Sequence, residues 1–416
     1  MASKAETTSR EFDVVLFGAT GFTGQLVAEC LAQSDPSLRW ALCGRSEDRL
    51  RSVRQGLANL NPRCADLPIL QADASDAQAL LAVAGKTRVI CTTVGPYMRY
   101  GLPMVAACAA QGTDYCDLTG EVPFMRASID RHNETAQKTG ARILHACGFD
   151  SIPSDMGVLA LHDFMRTRGK ALSAAHLFVK SIRGGASGGT LASMLNLLQD
   201  AVGDRDLRRL LANPYALLPD PTAMRGRQRE LRSVAYDREA REWTAPFVMG
   251  TVNTRVVHRS NALLDYPYGR DFQYSEVMGF GDSLRGMARA STAFAGMAGF
   301  AALGSNASTR SLLGRFLPKP GEGPSPEARR RGRWRFDVRG FVAGSDRAQA
   351  LLTLRGEGDP GYASTSRMLS EVIRLLVETH GTDRRGGVQT PATSLGLPLV
   401  ARLGRAGVQF DLSELA

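Results

Sequence analysis

The sequence opens with an apolar run that ends in a glycine-rich turn and continues as a segment of helical spacing. Phe12 to Phe17 (FDVVLF) leads into Gly18-Ala-Thr-Gly21-Phe-Thr-Gly24, and FTGQLVAECLAQ then has apolar residues at helical intervals. The alternation recurs with the apolar runs WALC, PILQ, VICTT, DYCD and ARILHA. Six strands with five closely spaced helices require right-handed crossovers and a parallel sheet covered on both faces. The sequence therefore predicts a doubly wound α/β domain over residues 1–152.

The alternation stops after Gly148, and a different pattern follows. Asp155 to Thr167 has helical spacing with Ser154 as its N-cap, and further helices are predicted from Ser187-Gly188-Gly189-Thr190 onward and from Ser364 to His380. Between them lie stretches typical of strands: AHLFVKSI, NTRVVHRS, FQYSEVMGF, RWRFDVRGFV and QALLTLRG. Strands without regular βα alternation predict an α+β second domain, residues 153–385, built on a mixed sheet. A chain of 416 residues is long enough for two cores.

The glycine-rich turn has the spacing G-x-x-G-x-x-G. Glycines permit a tight turn and let backbone amides approach a pyrophosphate, whose charge is stabilised by the N-terminus of the next helix. The turn lies between a strand and a helix at the head of the βα series, which is the context that such a motif requires. It predicts a Rossmann-type dinucleotide site formed by Gly18, Thr20, Gly21, Phe22, Thr23 and Gly24.

The end of the second strand indicates which dinucleotide is bound. An NAD site has Asp or Glu there for the ribose 2′-hydroxyl, whereas this chain has Cys43-Gly44-Arg45-Ser46. Arg45 can pair with a 2′-phosphate through two parallel hydrogen bonds, and Ser46 follows it. The cofactor is therefore predicted to be NADP(H).

Ligands in open α/β sheets bind beyond the carboxyl ends of the strands, where several polar residues of this chain lie. Asp73 is placed to meet the adenine, and the stretch that includes Thr93, Gly95 and Pro96 is placed beside the nicotinamide half. Tyr97, Asp150 and Glu121 are the candidate catalytic acids. His145, inside an apolar run, is interpreted as a core residue with satisfied hydrogen bonds.

Two features suggest a surface function. The formal charge is +10, and an arginine cluster (Arg329, Arg330, Arg331, Arg333, Arg335) follows the Pro/Gly-rich LPKPGEGPSP. It is read first as a solvated loop, and second as a surface for anionic lipid or for an acidic, phosphopantetheine-bearing carrier. The charge-free stretch 290–309 is rich in Ala, Gly, Ser and Thr. It is predicted to be a packed helix or lid first, a peripheral membrane contact second and a transmembrane helix last.

Other classes of protein lack their sequence signals here. There is no nucleic-acid module, no Cys/His metal pattern and no Tyr-x-x-x-Lys of the short-chain dehydrogenases. The polar N-terminal segment MASKAETTSREFD has no secretory h-region, so a cytoplasmic protein is expected, with peripheral membrane attachment as the alternative.

Together, GATGFTG, CGRS, TTVGPYMRYGLPMVAACAAQGTDYCDLTGE, HACGFDSIPSD, NTRVVHRSNAL, YGRDFQYSE, KPGEGPS and GGVQTPATSLG cover nearly the whole chain. They resemble the saccharopine dehydrogenase-like oxidoreductases, and within them the trans-acting enoyl reductases of phthiocerol lipid synthesis in mycobacteria.

The resemblance implies that residues 386–416 pack back on the Rossmann domain and that the second domain binds substrate or forms a homodimer. It also implies NADPH-dependent reduction of an α,β-unsaturated acyl or polyketide thioester, free or bound to a carrier or synthase. Two alternatives stay open: a saccharopine-type imine or amino-acid oxidoreductase, and a non-catalytic nucleotide-binding protein of lipid surfaces.

Overall fold

The computed structural model describes residues 10–33, 36–184, 188–306, 309, 323–382 and 385–415. Across these ranges the chain forms two seven-stranded sheets. The first is entirely parallel and contains all six predicted strands. In the spatial order of the sheet its strands are β13 (Gly387–Gln389), β6 (Arg142–Leu144), β5 (Asp114–Cys116), β4 (Thr87–Thr92), β1 (Phe12–Phe17), β2 (Trp40–Gly44) and β3 (Ile69–Gln71).

The five predicted helices of the first domain connect these strands. They are α1 (Phe22–Ala32), α2 (Glu47–Leu60), α3 (Ala77–Gly85), α4 (Tyr97–Gln111) and α5 (Val122–Thr139). Residues of α1 and α2 pack on one face of the sheet and residues of α3, α4 and α5 on the other. Every residue of β1 is buried, as expected of a strand covered by helices on both sides. The prediction of a doubly wound sheet is confirmed.

The second sheet is mixed, as predicted. Its strands, in order across the sheet, are β14 (Val408–Glu414), β12 (Ala350–Glu357), β11 (Arg333–Phe341), β7 (Ala174–Arg183), β10 (Gln273–Gly279), β9 (Glu242–Pro246) and β8 (Ala235–Asp237). Only β7 and β10 run parallel, and the other described neighbours are antiparallel.

Eight further helices accompany this half of the chain. They are α6 (Ile152–Arg166), α7 (Gly188–Gly203), α8 (Arg205–Ala212), α9 (Gly250–Leu263), α10 (Leu284–Ser305), α11 (Pro326–Arg330), α12 (Thr365–Glu378) and α13 (Pro391–Leu403) among the described residues. Residues of α6, α12 and α13 join one face of the first sheet to the second sheet in a continuous apolar core.

The segment after Gly386 contributes to both sheets. β13 pairs with β6 at the edge of the first sheet, and β14 pairs with β12 at the edge of the second. The division of the chain at residues 152 and 385 stays a prediction.

Two local predictions are wrong. NTRVVHRS is not a strand but lies inside α9, where Val252, Val256 and Ser260 are spaced by four residues and share a buried face. Tertiary packing here overrides the strand preference of the valines. Ser154 does not cap a helix either, since α6 begins at Ile152 after Ser151 and the Ser154 hydroxyl donates to Glu276.

The charge-free stretch falls largely within α10, which ends at Ser305, and positions 307 and 308 lie outside the described residues. α10 packs against β9 and α7. None of the helices in the described ranges has the length and apolar character needed to cross a membrane.

Candidate active site

The glycine turn follows β1 at the carboxyl edge of the first sheet. Gly18 has φ +89°, and a Cβ there would lie 2.7 Å from Val94 Cγ2 and 2.8 Å from Thr93 Oγ1. A Cβ on Gly24 would collide with the Gly18 carbonyl oxygen. Both positions therefore require glycine, because the turn, α1 and the loop after β4 meet at backbone distance. The Thr93 hydroxyl holds this arrangement by donating to the Gly18 carbonyl at 3.1 Å.

The N-terminus of α1 opens at the same turn. Gly21 is its N-cap, no side chain hydrogen-bonds to the cap, and the first turn contains no acidic residue. Free N–H groups at a helix N-terminus form an anion site, and the glycines leave room for the pyrophosphate to reach them. The residues present therefore fit a dinucleotide.

Arg45 and Ser46 lie between the end of β2 and the start of α2. The Arg45 side chain is exposed, and among the described residues no carboxylate lies within ion-pair distance of it. Asp73, across the neighbouring strand end, accepts hydrogen bonds from Ser75, and these, together with the Arg45 charge, hold the pKa of the Asp73 carboxyl below its usual value. The Arg45 guanidinium is thus available to an anionic ligand.

The loop after β4 places Thr93 and Val94 against the glycine turn, and Gly95 and Pro96 follow them before Tyr97 begins α4. Tyr97 is 5% exposed and its hydroxyl donates to the Thr92 carbonyl at 3.2 Å. Burial, and secondly the charge of Asp117, raise the pKa of this phenol well above its usual value. The Tyr97 side chain therefore holds the loop through its hydrogen bond to the Thr92 carbonyl.

Glu121 is also buried, and its carboxylate accepts hydrogen bonds from the backbone N–H groups of Tyr97 (3.0 Å) and Met98 (2.7 Å). A carboxylate at the N-terminus of α4 is stabilised by the helix dipole. The Ser193 hydroxyl, on α7, donates to the same carboxylate at 2.7 Å. Glu121 therefore fixes the start of α4 and links it to α7.

Asp150 follows β6 and is half-buried. The Thr190 hydroxyl lies 3.4 Å from its Oδ2. Burial raises the pKa of Asp150 to about 6, opposed in part by that hydroxyl. Asp150 thus combines a pKa of about 6 with a hydroxyl contact from α7.

A buried polar cluster behind Asp150 was not predicted from the sequence. Asn253 on α9 donates from Nδ2 to the Asp150 carbonyl (2.7 Å) and to Glu276 Oε1 (3.0 Å). Ser154 and Tyr274 donate to Glu276 Oε2 at 3.1 and 2.8 Å. Burial raises the pKa of Glu276 to about 7. The one available signal was a charged residue inside the apolar strand pattern FQYSEVMGF.

His145 belongs to the support of the sheet edge. Its ring nitrogens lie 2.7 Å from Asp117 Oδ2 and 2.8 Å from Ser128 Oγ, so both are satisfied inside the core. This agrees with its interpretation as a core residue.

Comparisons with known proteins agree with this architecture. Residues 14–144 match the family described as the saccharopine dehydrogenase NADP binding domain. The solved structure of apo saccharopine dehydrogenase (L-Glu forming) from Saccharomyces cerevisiae superposes with a TM-score of 0.56 at 12% identity, covering 97% of this chain and 100% of that one. This likeness concerns the fold. The chain is an NADP-dependent oxidoreductase with a saccharopine dehydrogenase-like fold.

Similarity over nearly the full length identifies a narrower family within this class of oxidoreductases. The chain is 46% identical to a Mycobacterium tuberculosis protein that is provisionally named a trans-acting enoyl reductase, with 98% of this chain and 99% of that one covered. It is 42% and 41% identical to trans-acting enoyl reductases of Mycobacterium bovis and Mycobacterium ulcerans, with the same coverage. The chain belongs to the family of these mycobacterial trans-acting enoyl reductases.

Proposed function

We propose that this protein reduces the carbon–carbon double bond of an α,β-unsaturated acyl or polyketide thioester with NADPH, acting in trans for a synthase in lipid synthesis. The observation that carries the proposal is the similarity to trans-acting enoyl reductases over 98% of the chain. The site geometry supports it, because a dinucleotide cradle and an acid of near-neutral pKa lie at one sheet edge.

The glycine turn and the N-terminus of α1 would hold the pyrophosphate, and Arg45 with Ser46 the 2′-phosphate. Asp73 is assigned to the adenine end, and Thr93, Gly95 and Pro96 to the nicotinamide half. When bound, NADPH supplies hydride to the β-carbon of the thioester. The chain's own residues then have two tasks, which are to position the alkene and to protonate the α-carbon of the resulting enolate.

Asp150 is assigned the proton transfer. An acid works best when its pKa lies near the working pH, and burial places Asp150 at about 6. Asn253 on α9 fixes its backbone carbonyl and Thr190 on α7 contacts its carboxyl group, so two helices of the second half hold the acid. The proton that forms the new C–H bond leaves Asp150 as a carboxylate, which solvent reprotonates.

Tyr97 and Glu121 are assigned positioning. The Tyr97 hydroxyl donates to a backbone carbonyl, and the backbone N–H groups of Tyr97 and Met98 are taken by Glu121. Those two N–H groups are therefore occupied and do not serve the thioester oxygen.

The test follows NADPH oxidation with unsaturated acyl thioesters, free and carrier-bound, and with saccharopine-type imine mixtures. Oxidation is expected with the thioesters. Asp150→Asn should lower kcat by about 10²- to 10⁴-fold, as expected for a lost general acid, and the wild-type rate should fall as pH rises through about 6. Asp163→Asn, at an exposed ion pair near the far end of α6, is the matched control.

Oxidation with the imines alone would overturn the enoyl reductase assignment in favour of a saccharopine-type activity. Oxidation with neither substrate class would favour the nucleotide-binding protein of lipid surfaces. An Asp150→Asn variant with the wild-type rate and pH profile would remove Asp150 from the mechanism while leaving the substrate assignment intact.

A further inference from the structure

The segment that carries the arginine cluster lies against the phosphate turn. The backbone of Gly323 packs on the ring of Phe22, since a Cβ on Gly323 would collide with that ring. The guanidinium carbon of Arg329, on α11, lies 5.3 Å from the centroid of the same ring. Tyr362 meets the ring edge-on, with centroids 4.7 Å apart. Gly323, Arg329 and Tyr362, all from the second half of the chain, thus contact Phe22, the first residue of α1.

Arg329 is held in place by its backbone. Its N–H donates to the Ser325 carbonyl at 2.9 Å, and its carbonyl accepts from the Asp359 N–H at 2.8 Å. The side chain is half-buried, and among the described residues none offers it a carboxylate within 4 Å. Burial raises the pKa of the Asp359 carboxyl, opposed in part by hydrogen bonds from the N–H groups of Ala363 and Tyr362 and then by the charge of Arg329.

A cation at this position needs an explanation. The N-terminus of a helix carries positive partial charge, so an arginine beside it is disfavoured unless an anion lies between them. The first turn of α1 supplies neither an acidic residue nor a side-chain cap. The ring of Phe22 stabilises the guanidinium by a cation–π contact, which holds the charge at the turn.

We propose that Arg329 binds the pyrophosphate of NADP(H) and thereby closes the second half of the chain over the phosphate turn. The pyrophosphate at the N-terminus of α1 is the anion that makes both positive groups favourable, and a guanidinium pairs with phosphate through charge-assisted hydrogen bonds. The proposal rests on the NADP(H) site and does not depend on which substrate is reduced.

The test compares dissociation constants of NADPH and NADH, measured by calorimetry on the full chain. Arg329→Ala should weaken both cofactors by the same factor, about tenfold, because both contain the pyrophosphate. Arg45→Ala should weaken NADPH alone, because only NADPH carries the 2′-phosphate. Arg330→Ala, the exposed neighbour in α11, is the matched control and should leave both constants unchanged.

Thermal unfolding without cofactor shows whether each variant folds. If Arg329→Ala does not fold, Arg329→Lys replaces it. Lysine keeps the charge but loses the planar fork, so both cofactors should weaken by roughly two- to fivefold. Phe22→Leu removes the ring that holds the guanidinium and should also weaken both equally.

Affinities of a folded Arg329 variant within error of the wild type for both cofactors would overturn the proposal. Selective loss of NADPH would also overturn it, because Arg329 would then bind the 2′-phosphate. Both results differ from a failure of the enoyl reductase assignment, in which the wild type binds NADPH normally but does not reduce the thioesters.

Discussion

The two sheets have the same number of strands and are assembled in different ways. In the first, β1 to β6 are joined by successive helices, and successive strands are neighbours in the sheet except β3 and β4, since β4 lies beside β1. In the second, the central β7 pairs with β10 and β11, which come much later in the chain. The first sheet, which carries the predicted cofactor site, therefore forms mainly between segments that are close in sequence. The second sheet depends on contacts between distant segments.

Buried carboxylates in this chain are held either by a cation or by neutral donors, and the second sheet has both kinds, since Glu242 of β9 pairs with Lys180 of β7. In the first sheet, Asp114 pairs with the buried Arg142 at 2.5 Å. Around the second, Asp155 and Glu276 accept only from neutral donors, and burial raises their pKa values to about 6 and about 7. A neighbouring cation stabilises the charged form of a carboxylate. A buried carboxylate held by neutral donors can instead change its protonation near neutral pH.

The largest effect is expected for Asp114, the buried carboxylate that pairs with Arg142. Asp114→Ala removes the acceptor for the Arg142 backbone and guanidinium N–H groups and for His380 Nδ1. Because an uncompensated charge then stays buried, the free energy of unfolding should fall by about 3–5 kcal/mol. Urea denaturation measures it.

Glu134→Ala is the control, because Glu134 and Lys138 form an exposed pair four residues apart on α5. It should change the free energy of unfolding by about 0.5 kcal/mol or less. If both substitutions had the same effect, burial would not distinguish the two pairs.

The difference in assembly explains which features could be predicted from the sequence. The glycine turn and the strands β1 to β6 follow from short patterns, because each strand and the next helix are contiguous. β13 is a three-residue strand whose pairing depends on β6, and α9 contains a strand-like valine pattern that only tertiary packing overrides. No local pattern indicated either.

The residues of the candidate site also divide into those whose contacts are local in sequence and those whose contacts are distant. Gly18, Gly24 and Thr93 could be predicted to lie together because their contacts depend on the turn itself, and their role in binding the cofactor stays a prediction. The link from Asn253 to Glu276 and Asp150 and the contact of Arg329 with Phe22 join elements far apart in sequence. Such contacts have no signature in a single sequence, so the acid cluster was missed and the arginine was interpreted as part of a solvated loop.

The next largest effect is expected for the buried carboxylates that accept only from neutral donors. Because burial raises the pKa of Glu276 to about 7, the folded protein binds this proton more tightly than the unfolded chain does. The unfolding free energy therefore falls as pH rises from about 4.5 to 7, by about 3 kcal/mol for this group. Asp155 adds a fall of the same sign between about pH 4 and 6.

Glu276→Gln should remove the Glu276 part of this dependence. Urea denaturation of wild type and variant from pH 4.5 to 8 measures it, with Glu134→Gln as an exposed control. A variant whose stability falls with pH as steeply as that of the wild type would show that Glu276 keeps an ordinary pKa.

A smaller effect concerns the locally encoded cofactor site. Arg45→Ala should weaken NADPH by about five- to a hundredfold and leave NADH unchanged, because one charge-assisted pair with the 2′-phosphate is lost. Calorimetry measures both constants. Arg49→Ala, one turn further along α2 and exposed, is the control. Equal or tighter binding of NADH by the wild type would contradict the assignment of Arg45 to a 2′-phosphate.

The smallest effect is expected at α10, which covers the second sheet beside β9. Leu284 is 79% exposed at its first position, and most of the other exposed residues of the helix are small or polar. Leu284→Ser should change the free energy of unfolding by about 0.5 kcal/mol or less, since the side chain has little packing to lose. So small an apolar surface gives little drive for insertion, and we expect no co-sedimentation of the wild type with anionic vesicles. If the wild type pelleted with such vesicles and Leu284→Ser did not, α10 would be a membrane contact, and the second half of the chain would bind lipid surfaces as well as cover the cofactor site.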